Sequence, residues 1–223
     1  MNAMILAAGR GERMRPLSDH CPKPLLSVGG RTLLDWHLAR LAASGFERVV
    51  INTAWLGDAI RDHVARHAPE GLEVRLSDEG DRALETAGGI VRALPLLGSD
   101  PFVVINGDVW SDFDPAMLPT RPEGLGHLVL VDNPEHHPDG DFRFDGYAVV
   151  SEGGDAPRYT FAGIACYRPE LFAGVLPGVA PLAPILHRAC ERRQLTGHHH
   201  AGQWCDVGTP ARLATLDARL SRR

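Results

Sequence analysis

Short apolar runs alternate with helix-length amphipathic segments through the first half of this chain, and that alternation confines it to the α/β class. The spacing predicts strands over residues 3–7, 48–52, 72–77 and 102–106, separated by helices over residues 32–43, 57–67 and 86–97. The first of these helices carries Leu33, Leu34, Leu38 and Leu41 at helical spacing, with Thr32 placed to cap its start and Gly45 to stop it. Strands that are apolar on both faces belong inside a mostly parallel sheet covered by helices, joined by right-handed crossovers. Ligands of such sheets bind beyond the C-terminal ends of the strands.

The second half is less regular. Strands are expected over residues 127–131, 141–144 and 159–167, and helices over 183–194 and 210–220. Residues 9–30, broken by Pro16, Pro22 and Pro24, read as one long ordered loop; residues 115–126 and 151–157 read as turns. No repeat or linker interrupts the 223 residues, whose 44% hydrophobic content suffices for one core, so a single domain is expected. A formal charge of -5 offers no basic field to gather nucleic acid or a membrane surface, so any phosphate site must be local. The first apolar run, Met4 to Ala8, is too short for a secretory core or a membrane span. The cytoplasm is therefore the expected compartment, and four cysteines without a CxxC pair read as reduced, mostly packing thiols.

Directly after the first strand comes Ala8-Gly9-Arg10-Gly11-Glu12-Arg13-Met14-Arg15-Pro16, followed by Pro22-Lys23-Pro24. Glycines let backbone N–H groups approach phosphate oxygens, arginines supply forked donors, and Lys23 adds a point charge on a stiff segment. The glycines by themselves fit a tight turn with solvated arginines equally well. Asn106-Gly107-Asp108 ends an apolar strand, so Asp108 should stand at the ligand edge of the sheet. Asp206 lies far downstream in Trp204-Cys205-Asp206-Val207-Gly208-Thr209, before a helix. Two such carboxylates can share one Mg²⁺, which takes oxygen ligands; either can also be a turn former or helix cap, and for Asp206 the cap is the commoner role.

The string from Met4 to Leu26, with its A-G-x-G-x-R-x-x-P and P-K-P-L elements, resembles the signature of the sugar-phosphate nucleotidyltransferases. Membership would imply a single Rossmann-like domain over residues 1–223 with a central, mostly parallel mixed sheet flanked by helices. Its nucleotide-binding part would cover roughly residues 1–110 and its sugar-binding part the remainder. The resemblance implies that the triphosphate is wrapped by Ala8, Gly9, Gly11, Glu12 and Arg13, that Lys23 touches phosphate at the reacting centre, and that Asp108 and Asp206 hold Mg²⁺. Arg13, Lys23 and Asp108 inherit catalytic roles; Asn106, Glu79, Gly88 and Gly89 fall on the nucleotide side, the glycines against the base. Many members carry Thr where this chain has Glu12; a carboxylate beside a triphosphate repels it, so Glu12 receives no catalytic role.

Asn133-Pro134-Glu135-His136-His137 and Gly140-Asp141-Phe142 resemble elements of the bacterial N-acetylmuramate 1-phosphate uridylyltransferases, a subgroup that shares the short length. This resemblance makes UTP and a sugar 1-phosphate the expected partners, with Asp141, Arg143 and Gly163 on the sugar side and His136 and His137 available there. Guanylyl- and thymidylyltransferases of the same family remain alternatives, as does a noncatalytic nucleotide-sugar sensor, against which Arg13, Lys23, Asp108 and Asp206 argue. His198, His199 and His200 are expected on a surface strand or loop, where alternation keeps them from sharing one ion.

Overall fold

The computed structural model describes residues 1–150 and 155–222. The chain opens with β1 (Asn2–Leu6), a short hairpin of β2 (Ser27–Val28) and β3 (Arg31–Thr32), α1 (Leu33–Ala43), β4 (Arg48–Thr53) and α2 (Gly57–His67). It continues with β5 (Glu73–Asp78), α3 (Glu85–Leu97), β6 (Phe102–Asn106), β7 (Val109–Ser111) and β8 (Gly126–Val131). Then come β9 (Phe142–Phe144), β10 (Val149–Val150), β11 (Arg158–Tyr167), α4 (Ala183–Glu191), β12 (Leu195–His199), β13 (Trp204–Asp206) and α5 (Pro210–Leu220).

Strands β5, β4, β1 and β6 lie side by side and parallel. β11 runs antiparallel to β6, β8 antiparallel to β11, and β12 parallel to β8, so on this path of described strands only β11 reverses direction. β9 extends the sheet from the first residues of β11, and β10 pairs with β9. The fold is the expected mostly parallel mixed sheet between helices.

Strand alternation divides the core between the two faces. Ala3, Ile5, Val49, Ile51, Val103 and Ile105 point toward Leu34, Leu38 and Leu41 of α1 and Ile60 of α2. Met4, Val50 and Val104 point the other way, toward Ala87, Ile90 and Ala93 of α3 and Ile185 and Leu186 of α4. Each fully buried Leu or Ile contributes about 1.5–3 kcal/mol relative to exposure. α1 begins as its sequence predicts: Thr32 Oγ1 accepts from the Asp35 N–H at 3.0 Å while the Asp35 carboxylate accepts from the Thr32 N–H at 3.3 Å. Gly45, with φ +79°, follows its end.

One helix end needs correction, and three stretches carry elements beyond those expected. Residues 9–30 contain three 3₁₀ turns, Glu12–Met14, Leu17–Asp19 and Lys23–Leu25, and the first strand of a hairpin, because the prolines that break helices leave short turns available. Residues 115–126 are turn and loop as expected, with a 3₁₀ turn at Pro115–Met117, except that Gly126 already belongs to β8. α4 stops at Glu191, three residues early, where Arg193 turns into the left-handed region. The β7–β13 ribbon was not expected, since three-residue strands carry no readable period. Of the turn expected at 151–157, residues 151–154 lie outside the described residues. His198 and His199 lie on β12, beside β8, and His200 follows it.

Candidate active site

Beyond the C-terminal ends of β1, β4, β5 and β6 lies a cavity of about 410 Å³. Its position follows from the topology, because parallel strands direct the backbone N–H groups and loops that follow them toward one edge. β1 leaves the sheet under control of Asn52, whose Oδ1 accepts the Ala7 N–H at 2.7 Å. The loop then folds back at Gly11, where φ is +67° and a Cβ would approach Ser18 Cβ to 3.3 Å. The Gly11 carbonyl accepts from the Met14 N–H at 2.8 Å and from Ser18 Oγ at 2.7 Å. Trp55 Nε1 donates to the Ser18 carbonyl at 3.1 Å, and the Arg10 guanidinium lies 4.5 Å from the Trp55 ring centre.

Ala8, Gly9, Gly11, Glu12 and Arg13 all line the cavity from this loop. Arg13 is exposed and makes no ion pair among the described residues, so its donors are available to an anion. Lys23 enters from the third turn, is 9% exposed, and places Nζ 2.5 Å from Asp108 Oδ2. Asn106 and Asp108 line the opposite side.

Asp206 stands next to Asp108 in the backbone: it pairs with Val109 across the β7–β13 ribbon, and the Val207 N–H donates to the Asp108 carbonyl at 2.8 Å. The sequence separation of the two aspartates is thus closed by six residues of ribbon. The Asp206 carboxylate is held by Arg212 Nη1 at 3.0 Å and by His136 Nε2 at 3.1 Å. It is not the cap of α5, which is Thr209, whose hydroxyl accepts from the Arg212 N–H.

On the base side Glu79 lines the cavity while only 8% exposed. Asn52 Nδ2 donates to one carboxylate oxygen and the Leu84 N–H to the other, each at 2.7 Å. Gly88 and Gly89 do not line the cavity. The Gly88 N–H donates to the Ala180 carbonyl, and Gly89 lies behind the Glu79–Asn52 pair, so both glycines stand one layer back from where a base would lie.

On the sugar side Asp141 accepts from the Phe161 N–H at 2.7 Å and contacts His137 at 3.0 Å. Arg143 donates to the Ala156 carbonyl at 2.7 Å, which turns it toward its own hairpin. Gly163 occupies the β-bulge of β11 and lies against the Asn106 side chain, bringing this strand to the cavity wall. Burial raises all four thiols, Cys166 and Cys190 to about 12, so the site offers no thiolate nucleophile.

A family model of the nucleotidyl transferases matches residues 2–156. The chain belongs to the nucleotidyl transferase family. It is 49% identical to an N-acetylmuramate alpha-1-phosphate uridylyltransferase of Neisseria meningitidis, over 98% of this chain and 97% of that protein. A protein of the same name from Caulobacter vibrioides is 34% identical over 98% of this chain and 96% of its own length. Among solved structures, the inositol-1-phosphate CTP transferase of T. maritima shares the fold, with a TM-score of 0.79 at 17% identity over 99% of this chain and 94% of that one.

For a nucleotidyl transferase, sequence reasoning missed three features. Asn52 and Trp55 brace the phosphate loop, and a polar Asn-Thr at the end of an apolar strand was the signal that could have found Asn52. Glu85 and Thr86 line the cavity, with Glu85 at φ +58° where only a few non-glycine residues go. Arg212 carries no local signal.

Proposed function

We propose that this chain transfers the uridylyl group of UTP to N-acetylmuramate α-1-phosphate, giving UDP-N-acetylmuramate and pyrophosphate. The observation that carries the reading is the Lys23–Asp108 pair set at the strand edge opposite a glycine- and arginine-lined loop. The full-length similarity to two proteins named for that reaction supports the choice of base and sugar. We assign the triphosphate to the part built by residues 1–110 and the sugar to the part built after it. A cytoplasmic place in peptidoglycan recycling belongs to the same proposal.

In this reading an oxygen of the sugar's phosphate attacks the α-phosphorus of UTP; the new P–O bond forms as the bond to the β-phosphate oxygen breaks and pyrophosphate departs with that electron pair. The nucleophile is ionised at neutral pH and needs no general base, so the protein's work is positioning and charge neutralisation. Backbone N–H groups of Ala8 to Gly11 and the Arg13 guanidinium receive the triphosphate, and Lys23 neutralises charge at the reacting centre. Glu79, fixed by Asn52 and Leu84, presents acceptor oxygens toward the base side.

The donor set suits Mg²⁺: Asp108 and Asp206 are two hard oxygen ligands on adjoining backbone, leaving the other positions to water and phosphate. When bound there, the ion supplies Lewis-acid neutralisation of phosphate charge. A panel of nucleoside triphosphates against sugar 1-phosphates, read by pyrophosphate release, tests the proposal. UTP with N-acetylmuramate 1-phosphate should exceed every other pair; equal or better turnover of GTP with mannose 1-phosphate would transfer the chain to the guanylyltransferases.

A further inference from the structure

Arg212 occupies a position that neither the phosphate loop nor the aspartate pair accounts for. It lies on the first turn of α5, and its Nη1 lies 3.0 Å from Asp206 and 2.5 Å from His136 Nε2. His136 comes from the loop after β8 that also carries Asp141. Arg212 therefore links the aspartate beside Asp108 to the loop on the sugar side. Gly208, which lines the cavity, shows where the rest of the guanidinium points: a Cβ there would collide with Arg212 Nη2 and lie 3.3 Å from Arg13 Nη2. The two guanidiniums thus close in on one buried glycine at the cavity wall. Arg212 Nε is buried without an acceptor among the described residues, and Arg212 retains donors that Asp206 does not use.

Two cations mask the two aspartates in this state, Lys23 on Asp108 and Arg212 on Asp206. An oxygen of Asp206 given to a divalent cation is lost to Arg212, because the guanidinium and the ion repel one another. A guanidinium only 20% exposed that loses its carboxylate is stabilised when another anion takes that place. In that reading Arg13 serves the triphosphate, whereas Arg212 lies against His136, on the loop assigned to the sugar.

Resting on the reading of the site given above, we propose that Arg212 is a phosphate-binding residue for the sugar 1-phosphate: it holds Asp206 in the free protein and passes to the incoming phosphate when that substrate binds. The fork of an arginine matches phosphate oxygens.

The test compares UMP, UTP and UDP-N-acetylmuramate binding by calorimetry without metal, then steady-state kinetics with Mg²⁺. The β-phosphate of UDP-N-acetylmuramate is the one that the sugar 1-phosphate brings, so it isolates the contact. Arg212→Ala should weaken UDP-N-acetylmuramate by about 10- to 100-fold, the worth of a charge-assisted contact, and leave UMP and UTP unchanged. It should raise KM for the sugar 1-phosphate more than KM for UTP, and Arg212→Lys should recover part of the loss. Circular dichroism and a melting curve establish that each variant folds; if the alanine variant does not, the lysine and glutamine variants carry the comparison. Equal weakening of all three ligands, or a change confined to the Mg²⁺ dependence, would overturn the proposal and leave Arg212 as a support for Asp206. Weakening of UTP alone would move it to the triphosphate. If the wild-type protein prefers another nucleotide and sugar, the same comparison with that product still decides the role of Arg212, while the substrate reading fails separately.

Discussion

The ammonium of Lys23 lies 2.5 Å from Oδ2 of Asp108, so the chain's only lysine and a carboxylate at the edge of β6 hold one another at the cavity wall. Lys23 is nearly buried and brings a compact point charge, where arginine would bring a larger planar fork. Lys23→Ala should lower kcat/KM by about 3 kcal/mol, roughly a hundredfold or more, and Lys23→Arg should not restore it. Arg13→Ala should cost a similar order of activity but no stability, because Arg13 is exposed and breaks no ion pair. Pyrophosphate release and urea unfolding on the same samples check both; Lys23→Arg at wild-type turnover would refute the requirement for a point charge.

Asp108→Asn and Asp206→Asn each keep size and most hydrogen bonding while removing one negative charge. Turnover should fall severely in both and folding should survive. Residues that serve one ion act as a unit, so the double variant should be little worse than the poorer single one. A Mg²⁺ titration read by pyrophosphate release measures this. Near wild-type turnover of Asp206→Asn with an unchanged Mg²⁺ requirement would leave Asp206 with only its ion pair to Arg212.

Which of these parts could be read from the chain depends on how local their signals are. The four parallel strands and their helices are legible because apolar runs and helical spacing repeat within twenty or thirty residues. The phosphate loop is legible because its glycines, arginines and Lys23 are contiguous. The reversal at β11 is not: an apolar run has no direction, and the insertion of residues 158–167 between β6 and β8 is decided by packing. Arg143 shows the same limit, since a cation near the sugar loop was expected to face a substrate and instead donates to Ala156. Asp206 was placed beside Asp108 by resemblance alone; the ribbon that joins them consists of two three-residue strands.

Gly89 tests the scaffold behind the base side. A Cβ at this position would come within 2.5 Å of Glu79 Oε1 and 2.9 Å of Asn52 Nδ2, the two atoms that form their mutual hydrogen bond. Gly89→Ala should therefore displace that pair, destabilising the fold by about 1–3 kcal/mol as overpacked sites do. KM for the nucleotide should rise while KM for the sugar phosphate changes little. Kinetics identical to wild type would show that Glu79 and Asn52 have no part in nucleotide binding.

The last prediction concerns His37, buried on α1 with Nε2 lacking a partner among the described residues. Burial is the main force lowering its pKa from 6.5 to about 4, and nearby Arg40 adds to it, against an opposing pull from Asp108 and a backbone bond at Val109. Between those two values the unfolded chain binds a proton at this position that the folded chain refuses. Stability must then rise with pH across the window: its contribution is complete above pH 6.5 and is lost progressively as pH falls toward 4. The loss reaches up to about 3 kcal/mol at the acid end. Urea unfolding at pH 7 and pH 4.5 should show this decline in the wild-type protein. His37→Gln has nothing to protonate, so its stability should fall by about 2 kcal/mol less over the same interval. Parallel declines in the two proteins would mean that other groups carry the acid sensitivity and that His37 titrates in the folded state as it does in water.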